Sequence, residues 1–529
     1  MKKEFSKNEY LFAKKILGEI NSGKITSPKE LELRRFFYSK ELGLDEMPSY
    51  TFILSCAKKP SKLAHSLLSI KPTRSLSGVQ VVAVMLPPFP CPGKCIYCPS
   101  SLEDKESPKS YTGFEPSALR AQRLGYDSFE IVQNRIKQLD MTGNEANKIE
   151  LIFQGSSFTA LTKNKRELIV KNALGGILGK KVSSLKKAKL LCESSKRRVV
   201  GITFETRPDL CSKSDVAHMS FLGGTRVELG VQNPSDVIYK LINRGHTVED
   251  VISATERLKD SAFKVLYHLM PGLLGSTYKS DLKNFKSIFT NPSFMPDMVK
   301  FYPCLVIKGT KLYDEWKKGN FSPMEEVEAT KLLAEIKSEI PPWVRVMRVN
   351  RDIPSTVISA GVKKTNLRQL VESELEKNGK NCNCIRCRES GLRERDNKEV
   401  DVSKAKICTE FYSASNGEEA FISYESKNSL FGFVRLRNPA NPFLKEISSS
   451  TALIRELHVY GKALPVGKND EDSVQHKGIG KMLLFEAERI AKERFDSNKM
   501  LIISGLGVKE YYKKNFDYKK EGSFMSKKI

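Results

Sequence analysis

Six short apolar runs rich in β-branched residues alternate with longer amphipathic stretches between residues 79 and 302. These runs predict six strands: Val79–Leu86, Ile149–Phe153, Val199–Phe204, Arg226–Val231, Phe263–Leu269 and Met298–Tyr302. The stretches between them include Val248–Lys259, where apolar residues recur at the spacing of an amphipathic helix. Because strand–helix alternation is typical of a parallel sheet, we predict an α/β fold, either an open parallel sheet or a partial (βα)6 barrel.

The chain carries a large excess of positive charge. Its 88 Lys and Arg against 62 Asp and Glu give a formal net charge of +26, which favours a polyanionic partner, either nucleic acid or an anionic membrane. The apolar runs fall short of the roughly 18 residues that a membrane span needs. The first residues, Met1–Phe5, lack the apolar stretch of a signal peptide. We therefore expect a cytoplasmic protein without a membrane partner.

A length of 529 residues suggests three or four domains of about 150 residues each. Changes in composition divide the chain into a basic helical region at 1–75, the partial barrel at 76–355, a polar cysteine-bearing segment at 356–397 and a terminal domain at 398–529. Runs in the terminal part predict three strands and a helix: Ala420–Glu425, Leu430–Arg437, Ala452–Val459 and Gly480–Phe495. Consecutive strands followed by mixed elements indicate an α+β domain.

Three cysteines, Cys91, Cys95 and Cys98, lie directly after the first predicted strand. A loop of this spacing can present three thiolates to three irons of a [4Fe–4S] cluster, which leaves the fourth iron without a protein ligand. The loop resembles that of the radical S-adenosylmethionine (SAM) superfamily, in which the methionyl group of SAM fills the fourth position. The alternative is a zinc knuckle that uses these three cysteines and another residue.

The same resemblance implies SAM-binding residues at the ends of later strands. They are Gln154 and Gly155 after the second strand, Glu228 and Gln232 on one face of the fourth, and Met270 and Gly272 after the fifth. Loops at the carboxyl ends of parallel barrel strands converge on one site. Ordinary barrel packing explains each of these residues equally well when it is taken alone.

A second cysteine cluster, Cys382, Cys384 and Cys387, places three thiols within six residues. Structural zinc is tetrahedral and takes four protein ligands. We therefore predict a zinc site at this cluster, with Cys304, at the end of a predicted strand, as its fourth ligand. A buried free thiol is the alternative for Cys304.

A glycine loop precedes the last predicted helix. It contains Gln475, Lys477, Gly478, Ile479, Gly480 and Lys481, and its Q-x-x-G-x-G pattern resembles the pyrophosphate loop of GCN5-related acetyltransferases. Glycines at a helix N-terminus let backbone N–H groups bind the phosphates of coenzyme A. An ordinary tight turn is the alternative.

Three residues of the same domain are expected in the catalytic site: Glu456 and His458 on a predicted strand, and Tyr511 beyond the glycine loop. His458 could activate water or a thiol, because the charge of a histidine is tunable near neutral pH. Tyr511 and Tyr512 could contact the thioester or pantetheine. A hydrogen-bonded strand histidine and a tyrosine buried by its helix are the alternatives.

The stretch from Lys163 to Lys213 contains fourteen Lys and Arg against four Asp and Glu. Such a run is usually a solvated face, but beside a barrel on so basic a chain it favours contacts with phosphates.

A radical-SAM barrel joined to an acetyltransferase domain resembles the Elongator catalytic subunits, the tRNA uridine-34 carboxymethyluridine synthases. The segments that carry this resemblance are Lys71–Arg74, Val81–Met85, Arg351–Ser355, Ala360–Leu370 and Arg455–Gly461. It implies that a radical derived from SAM removes a hydrogen atom from the methyl group of acetyl-CoA. The carbon radical then adds to carbon 5 of the wobble uridine, and hydrolysis of the thioester leaves a carboxymethyl group.

The implied partners are the tRNA anticodon stem-loop and a reducing protein for the cluster, and we also consider a homodimer. Two other functions are compatible with parts of the sequence. One is a protein lysine acetyltransferase whose iron–sulfur cluster is structural. The other is a non-catalytic RNA-binding scaffold.

Overall fold

The computed structural model describes residues 5–57, 60–68, 78–99, 107–142, 144, 146–460 and 478–529. Lys71–Arg74, Gln475 and Lys477, which belong to segments singled out in the sequence, lie outside the described residues.

Four helices form a small N-terminal layer. They are α1 (Lys7–Asn21), α2 (Pro28–Glu41), α3 (Tyr50–Ser55) and α4 (Lys62–Leu68). Ser6 begins α1 with a capping box, in which its hydroxyl accepts the Glu9 N–H and the Glu9 carboxylate accepts the Ser6 N–H. The apolar faces of the four helices pack on one another, as the predicted helical character requires.

Among the described residues between 79 and 360 there are nine strands. They are β1 (Val79–Met85), β2 (Lys148–Gln154), β3 (Arg198–Thr206), β4 (Arg226–Gln232), β5 (Lys264–Leu269), β6 (Met298–Phe301), β7 (Val306–Ile307), β8 (Arg345–Val349) and β9 (Ile358–Ala360). Strands β1 to β6 and β8 form one sheet in that order, and every neighbouring pair is parallel. The predicted α/β barrel fold is confirmed, and β8 extends the six predicted strands to seven.

Helices and the short antiparallel pair β7–β9 surround this sheet. The helices are α5 (Pro116–Arg123), α6 (Ser128–Met141), α7 (Lys163–Leu178), α8 (Leu185–Glu193), α9 (Lys213–Phe221), α10 (Asp236–Leu241), α11 (Val248–Lys259), α12 (Tyr278–Thr290), α13 (Lys311–Lys317), α14 (Glu326–Ser338), α15 (Leu367–Lys377), α16 (Ile385–Arg388) and α17 (Ser390–Arg395). Their apolar sides and the outer face of the sheet share the largest core. The carboxyl ends of the parallel strands therefore meet at one open edge.

The described part of the C-terminal domain contains a second sheet of seven strands with two helices. Its elements are β10 (Lys406–Ala414), β11 (Gly417–Ser426), β12 (Ser429–Asn438), β13 (Thr451–Val459), α18 (Ile479–Glu493), β14 (Lys499–Ile502), α19 (Lys509–Phe516), β15 (Lys519–Glu521) and β16 (Phe524–Lys528). The sheet order is β10-β11-β12-β13-β14-β16-β15, and α18 packs on β11, β12 and β13. The predicted α+β character is confirmed.

Ionisable side chains form a buried network between the barrel and the C-terminal domain. The barrel contributes Lys259, Asp260 and Asp297, and the C-terminal domain contributes Glu419, Arg435, Arg437, Arg455 and Glu456. Four positive and four negative groups are thus paired across the interface.

No helix within the described parts of the chain is long and apolar enough to cross a membrane.

Candidate functional site

A cavity of about 1230 Å³ runs through the inside of the barrel, from the cysteine loop at the carboxyl ends of the strands to the C-terminal domain, which packs at their amino ends. Predicted site residues from both halves of the chain line it: Cys91, Cys95, Cys98, Gln154, Glu228, Gln232, Met270, Glu456, His458 and Tyr512. Gly155, Gly272, Tyr511 and the described residues of the glycine loop, 478–481, lie outside this lining. One chamber therefore brings together residues that the sequence assigns to two different cofactors.

The thiols of the barrel loop are held by hydrogen bonds from other segments. Cys98 Sγ accepts the Ser110 N–H at 3.3 Å, and Cys95 Sγ accepts Arg244 Nη1 at 3.4 Å. Unlike the second cysteine cluster, this trio does not have all three thiols within 4.8 Å of one another. Three thiolates around a single zinc ion lie about 3.8 Å apart, given Zn–S bonds of about 2.3 Å. The described thiols of this loop are therefore less closely gathered than those of the second cluster.

The strand ends beside this loop have unusual backbone conformations. Gly155 has a φ of +104°, and a Cβ built there would lie 2.9 Å from Met85 Sδ. Gly272 has a φ of +76° and donates its N–H to Asp281 Oδ2 at 2.7 Å. Gln232 has a φ of +69° and accepts the Met270 N–H at 2.7 Å through its carbonyl. Glycine is required at the first two positions, because a side chain there would be strained.

A charged group forms the inner wall of the cavity. Oε2 of Glu228, on β4, accepts a hydrogen bond from His268 Nε2 at 2.7 Å and another from the Lys300 ammonium. Arg226 Nη2 lies 3.4 Å from the second carboxylate oxygen, Oε1. Burial alone would raise the pKa of Glu228, but Lys300, His268 and Arg226 hold that pKa well below its usual range. Glu228 is therefore a carboxylate at neutral pH.

Sequence reasoning missed His268 and Lys300. Each is a lone polar residue within an apolar strand, in Tyr267-His268-Leu269 and Val299-Lys300-Phe301. That pattern is the signal that could have found them, because an isolated charge in a buried strand needs a partner.

The half of the cavity that the C-terminal domain lines is built on β13. Its parallel pairing with β14 runs from Thr451–Lys499 to Ile454–Ile502, while β13 continues to Val459. Glu456 and His458 lie on this continuation, two residues apart and on one face of the strand. Burial lowers the pKa of His458, so its ring is neutral near pH 7. Burial opposes ionisation of Glu456, but Lys264 and Arg435 hold the pKa of Glu456 below its usual value.

The described part of the glycine loop begins α18. Gly478 has a φ of +74°, and a Cβ built at Gly480 would lie 3.3 Å from the Tyr511 hydroxyl. Tyr511 is 41% exposed, whereas Tyr512 is buried. Tyr511 therefore lies over the first turn of α18, outside the cavity, and Tyr512 faces inward.

The second cysteine cluster lies at the opposite end of the barrel. The sulfur atoms of Cys382, Cys384 and Cys387 lie within 4.8 Å of one another, and contacts with the other two thiols lower the pKa of Cys384 well below its usual value. Ile385 donates its N–H to the carbonyl of Val344, beside the start of β8. This compact trio has the spacing of ligands to a single ion.

Cys304 does not join this trio among the described residues. Its N–H donates to the Pro271 carbonyl at 2.8 Å, which fixes it beyond the carboxyl end of β6, whereas the trio lies at the start of β8. The prediction that Cys304 is the fourth ligand is therefore wrong. Cys304 is a buried thiol, which was the alternative interpretation.

The basic stretch from Lys163 to Lys213 divides into two groups. Some of its cations stabilise the fold: Arg166 pairs with Asp215 at 2.8 Å, and Lys163 donates to Ser214 at 2.9 Å. Others are exposed near the start of α8, namely Lys180, Lys181, Lys186 and Lys187. The second group is free to contact phosphates.

Comparisons with known proteins agree with this geometry. The radical SAM superfamily matches residues 88–285, and the radical SAM C-terminal domain matches residues 296–377. The chain is 46% identical over 523 residues to the tRNA uridine(34) acetyltransferase of Methanocaldococcus jannaschii, covering 97% of this chain and 96% of that protein. It is 37% identical over 515 residues to Elongator complex protein 3 of Drosophila melanogaster, covering 95% and 93%. The chain belongs to the Elongator complex protein 3 family.

A solved structure from the same family supports the fold. The archaeal Methanocaldococcus infernus Elp3 with an N-terminal deletion (1–46) aligns with a TM-score of 0.76 and 44% identity, covering 86% of this chain and all of that chain. Membership in the radical SAM superfamily implies SAM and a [4Fe–4S] cluster as cofactors. The residues matched by the superfamily include the cavity-lining trio Cys91, Cys95 and Cys98.

Proposed function

We propose that the protein adds a carboxymethyl group derived from acetyl-CoA to carbon 5 of the wobble uridine, position 34, of tRNA. The observation that supports this proposal is the shared cavity, whose lining includes both the cysteine loop and His458 of the C-terminal domain. A radical generator and an acyl donor must react within one chamber that limits access of water. The curated relatives named tRNA uridine(34) acetyltransferase support the same substrate.

In this proposal Cys91, Cys95 and Cys98 hold the cluster, and Gln154, Gly155, Gln232, Met270 and Gly272 surround SAM. When bound and reduced, the cluster and SAM supply a 5′-deoxyadenosyl radical that removes a hydrogen atom from the acetyl methyl group. The Arg244 guanidinium donates to Cys95 Sγ at 3.4 Å, which stabilises thiolate charge at that position.

The C-terminal domain binds acetyl-CoA in this proposal. Backbone N–H groups at Gly478–Lys481 contact the pyrophosphate, where the N-terminus of α18 favours negative charge. The neutral His458 ring accepts a proton from water that hydrolyses the thioester, and Glu456 orients that ring from the same strand face. Tyr511 lies over the first turn of α18. Tyr512, which lines the cavity, faces the thioester.

The RNA lies across the basic surface. The N-terminal helices, the barrel rim at Lys180–Lys187 and the arginines beside the second cysteine cluster would contact the anticodon arm. A splayed-out base can enter the cavity, as recognition of single-stranded RNA commonly requires. We place the protein in the cytoplasm, where a reducing protein would donate the electron to the cluster. That the chain forms a homodimer stays a prediction.

The test of this function uses anaerobically reconstituted protein and bulk tRNA. We expect uridine to gain the mass of a carboxymethyl group only when SAM, acetyl-CoA and a reductant are all present. Gly480→Glu should abolish the product, because its carboxylate would face the pyrophosphate and crowd Tyr511. Lys492→Glu, exposed in the last turn of the same helix, is the control that should retain it. Product formed without SAM would contradict the proposal.

We propose a structural zinc ion at Cys382, Cys384 and Cys387. The three thiols converge on one point, and no described His, Cys, Asp or Glu side chain joins them as a fourth ligand. An ion bound by thiolates contributes directly to the free energy of folding.

Cys384→Ser should therefore lower both zinc content and melting temperature. Zinc is measured in protein purified without chelators, together with thermal unfolding. Cys304→Ser is the matched control, because this buried cysteine lies apart from the trio, and its zinc content should equal that of the wild type. Zinc loss in Cys304→Ser, or its retention in Cys384→Ser, would contradict the assignment.

A further inference from the structure

Glu228, His268 and Lys300 lie on neighbouring strands of the barrel and face one another across its inner surface. His268 pairs directly with Lys300 in the β5–β6 register, and Glu228 pairs with Leu266, two residues before His268. All three line the cavity. Both the histidine and the ammonium contact the same oxygen of Glu228, Oε2.

The other oxygen, Oε1, accepts no hydrogen bond from the described residues. Glu228 is 1% exposed, so this atom is a buried acceptor. Arg226 lies two residues away on the same strand face, and its Nε is a buried donor that also has no partner among the described residues. Its other nitrogens pair with Glu150 at 2.7 Å and with Glu228 at 3.4 Å. Buried polar atoms without partners cost free energy unless something binds them.

Glu228 Oε1 is distinctive among the unpartnered buried atoms of the described cavity wall. The others belong to Tyr97, Ser156, Arg207, Arg226 and Arg244, and each of these can donate a hydrogen bond. Glu228 Oε1 can only accept one. The Arg226 guanidinium lies beside Oε1, and the Lys300 ammonium contacts the other oxygen of the same carboxylate, so the wall presents an acceptor with one donor on each side of the carboxylate.

This pattern matches the edge of one pyrimidine base. Uracil presents its N3–H donor between two carbonyl acceptors, whereas cytosine presents an unprotonated N3 beside its N4 amino group. Both bases have the C5=C6 double bond that the proposed radical attacks. Chemistry alone therefore does not select uridine, and a contact with the base edge must do so.

We infer that Glu228 Oε1 accepts the N3–H of the target uracil while Arg226 and Lys300 donate to its carbonyl oxygens, so that this trio selects uridine over cytidine. The inference rests on the proposed function and names the feature of the base that the site reads. Glu228 then binds the RNA substrate, whereas its place on the fourth strand predicts that it binds SAM. A site built to bond a substrate N–H strongly rejects an analogue that lacks it.

The first test changes the RNA and leaves the protein intact. Three anticodon stem-loops that differ only at position 34 carry uridine, cytidine or N3-methyluridine, and the carboxymethylated base is measured by mass spectrometry. We expect the product from cytidine and N3-methyluridine to fall about tenfold or more below that from uridine. Equal modification of N3-methyluridine and uridine would overturn the inference while leaving the proposed function intact. If none of the three RNAs gains mass, the proposed function fails and the inference fails with it.

The second test changes the acceptor. Glu228→Gln adds an N–H donor that can pair with N3 of cytosine, so the ratio of uridine to cytidine product should fall about tenfold. A merely structural role would lower both products together and leave their ratio unchanged, and that result would overturn the inference. Glu488→Gln is the matched control, since Glu488 also bonds a lysine and a tyrosine, Lys527 and Tyr518, but lies outside the cavity lining. Its ratio should equal that of the wild type.

Discussion

Cys95→Ala is expected to remove iron from the barrel loop and to abolish release of 5′-deoxyadenosine from SAM. A [4Fe–4S] cluster held by three cysteines has one thiolate for each of three irons. Losing one thiolate exposes a second iron in addition to the one that binds SAM. Cys95 also accepts the Arg244 hydrogen bond, so its loss leaves that guanidinium without its sulfur partner.

The measurement is iron content and 5′-deoxyadenosine release after anaerobic reconstitution and reduction. Cys408→Ala is the control, because Cys408 is a half-buried free cysteine on the edge strand β10. It should retain both iron and SAM cleavage. A Cys95→Ala protein with the iron content and cleavage of the wild type would refute the cluster assignment. Zinc in place of iron would favour the knuckle alternative.

The sequence predicts the barrel well because the outward-facing residues of its strands are apolar and belong to the largest buried core. The predicted strand Arg226–Val231 is observed as Arg226–Gln232, and the helix Val248–Lys259 has the predicted bounds. Parallel pairing then places every strand end at one edge, which is why motifs far apart in sequence line one cavity.

Elements without an apolar pattern escaped prediction. β10 is an exposed edge strand, so its residues do not alternate between buried and solvated positions. β8 contains Arg345 and Arg348 within five residues, which hides a strand that pairs with β6. Charge in both strands masks the periodicity on which sequence reasoning depends.

Long-range partners also escaped prediction. The contacts of Glu228 with His268 and Lys300 depend on the register of three strands, and the position of Cys304 depends on which end of the barrel each loop occupies. Spacing in the sequence shows that three thiols can bind one ion, but it does not identify a distant fourth ligand.

Glu419→Gln is expected to reduce the free energy of unfolding by about 3–5 kcal/mol, the usual cost of removing one partner from a buried ionic network. Glu419 is fully buried between the two domains and contacts three cations: Arg455 at 2.6 Å, Arg437 at 3.1 Å and Lys259 at 3.1 Å. The variant leaves one unit of positive charge uncompensated in the interface.

The adjacent residue provides the control. Glu418 pairs with Arg494 at 2.6 Å, but both side chains are substantially exposed, so Glu418→Gln should cost less than about 1 kcal/mol. Both variants are measured by chemical unfolding of the full chain. Equal losses in the two would show that burial of the network adds nothing to stability.

The difference between the wild type and Glu419→Gln should depend on pH. Burial alone would raise the pKa of Glu419, but Arg455, Lys259 and Arg437 lower it from 4.5 to about 2. A carboxylate with a lowered pKa in the folded state stabilises the protein above its unfolded pKa, and this contribution is lost as the pH falls toward the folded value. The difference should therefore be constant near neutral pH and shrink between pH 4.5 and 2.

The network also bears on the reaction, because it fixes the acetyltransferase domain against the barrel. If that docking aligns the acetyl methyl group with the radical, Glu419→Gln should lower the yield of carboxymethyluridine per 5′-deoxyadenosine released, even at temperatures where the variant is folded. In the proposed function the residues assigned to the cluster and SAM all lie in the barrel, whereas transfer to the base uses residues of both domains, which must be held in register. An unchanged yield per cleavage in a destabilised variant would mean that the network stabilises the interface without setting the alignment of the two substrates.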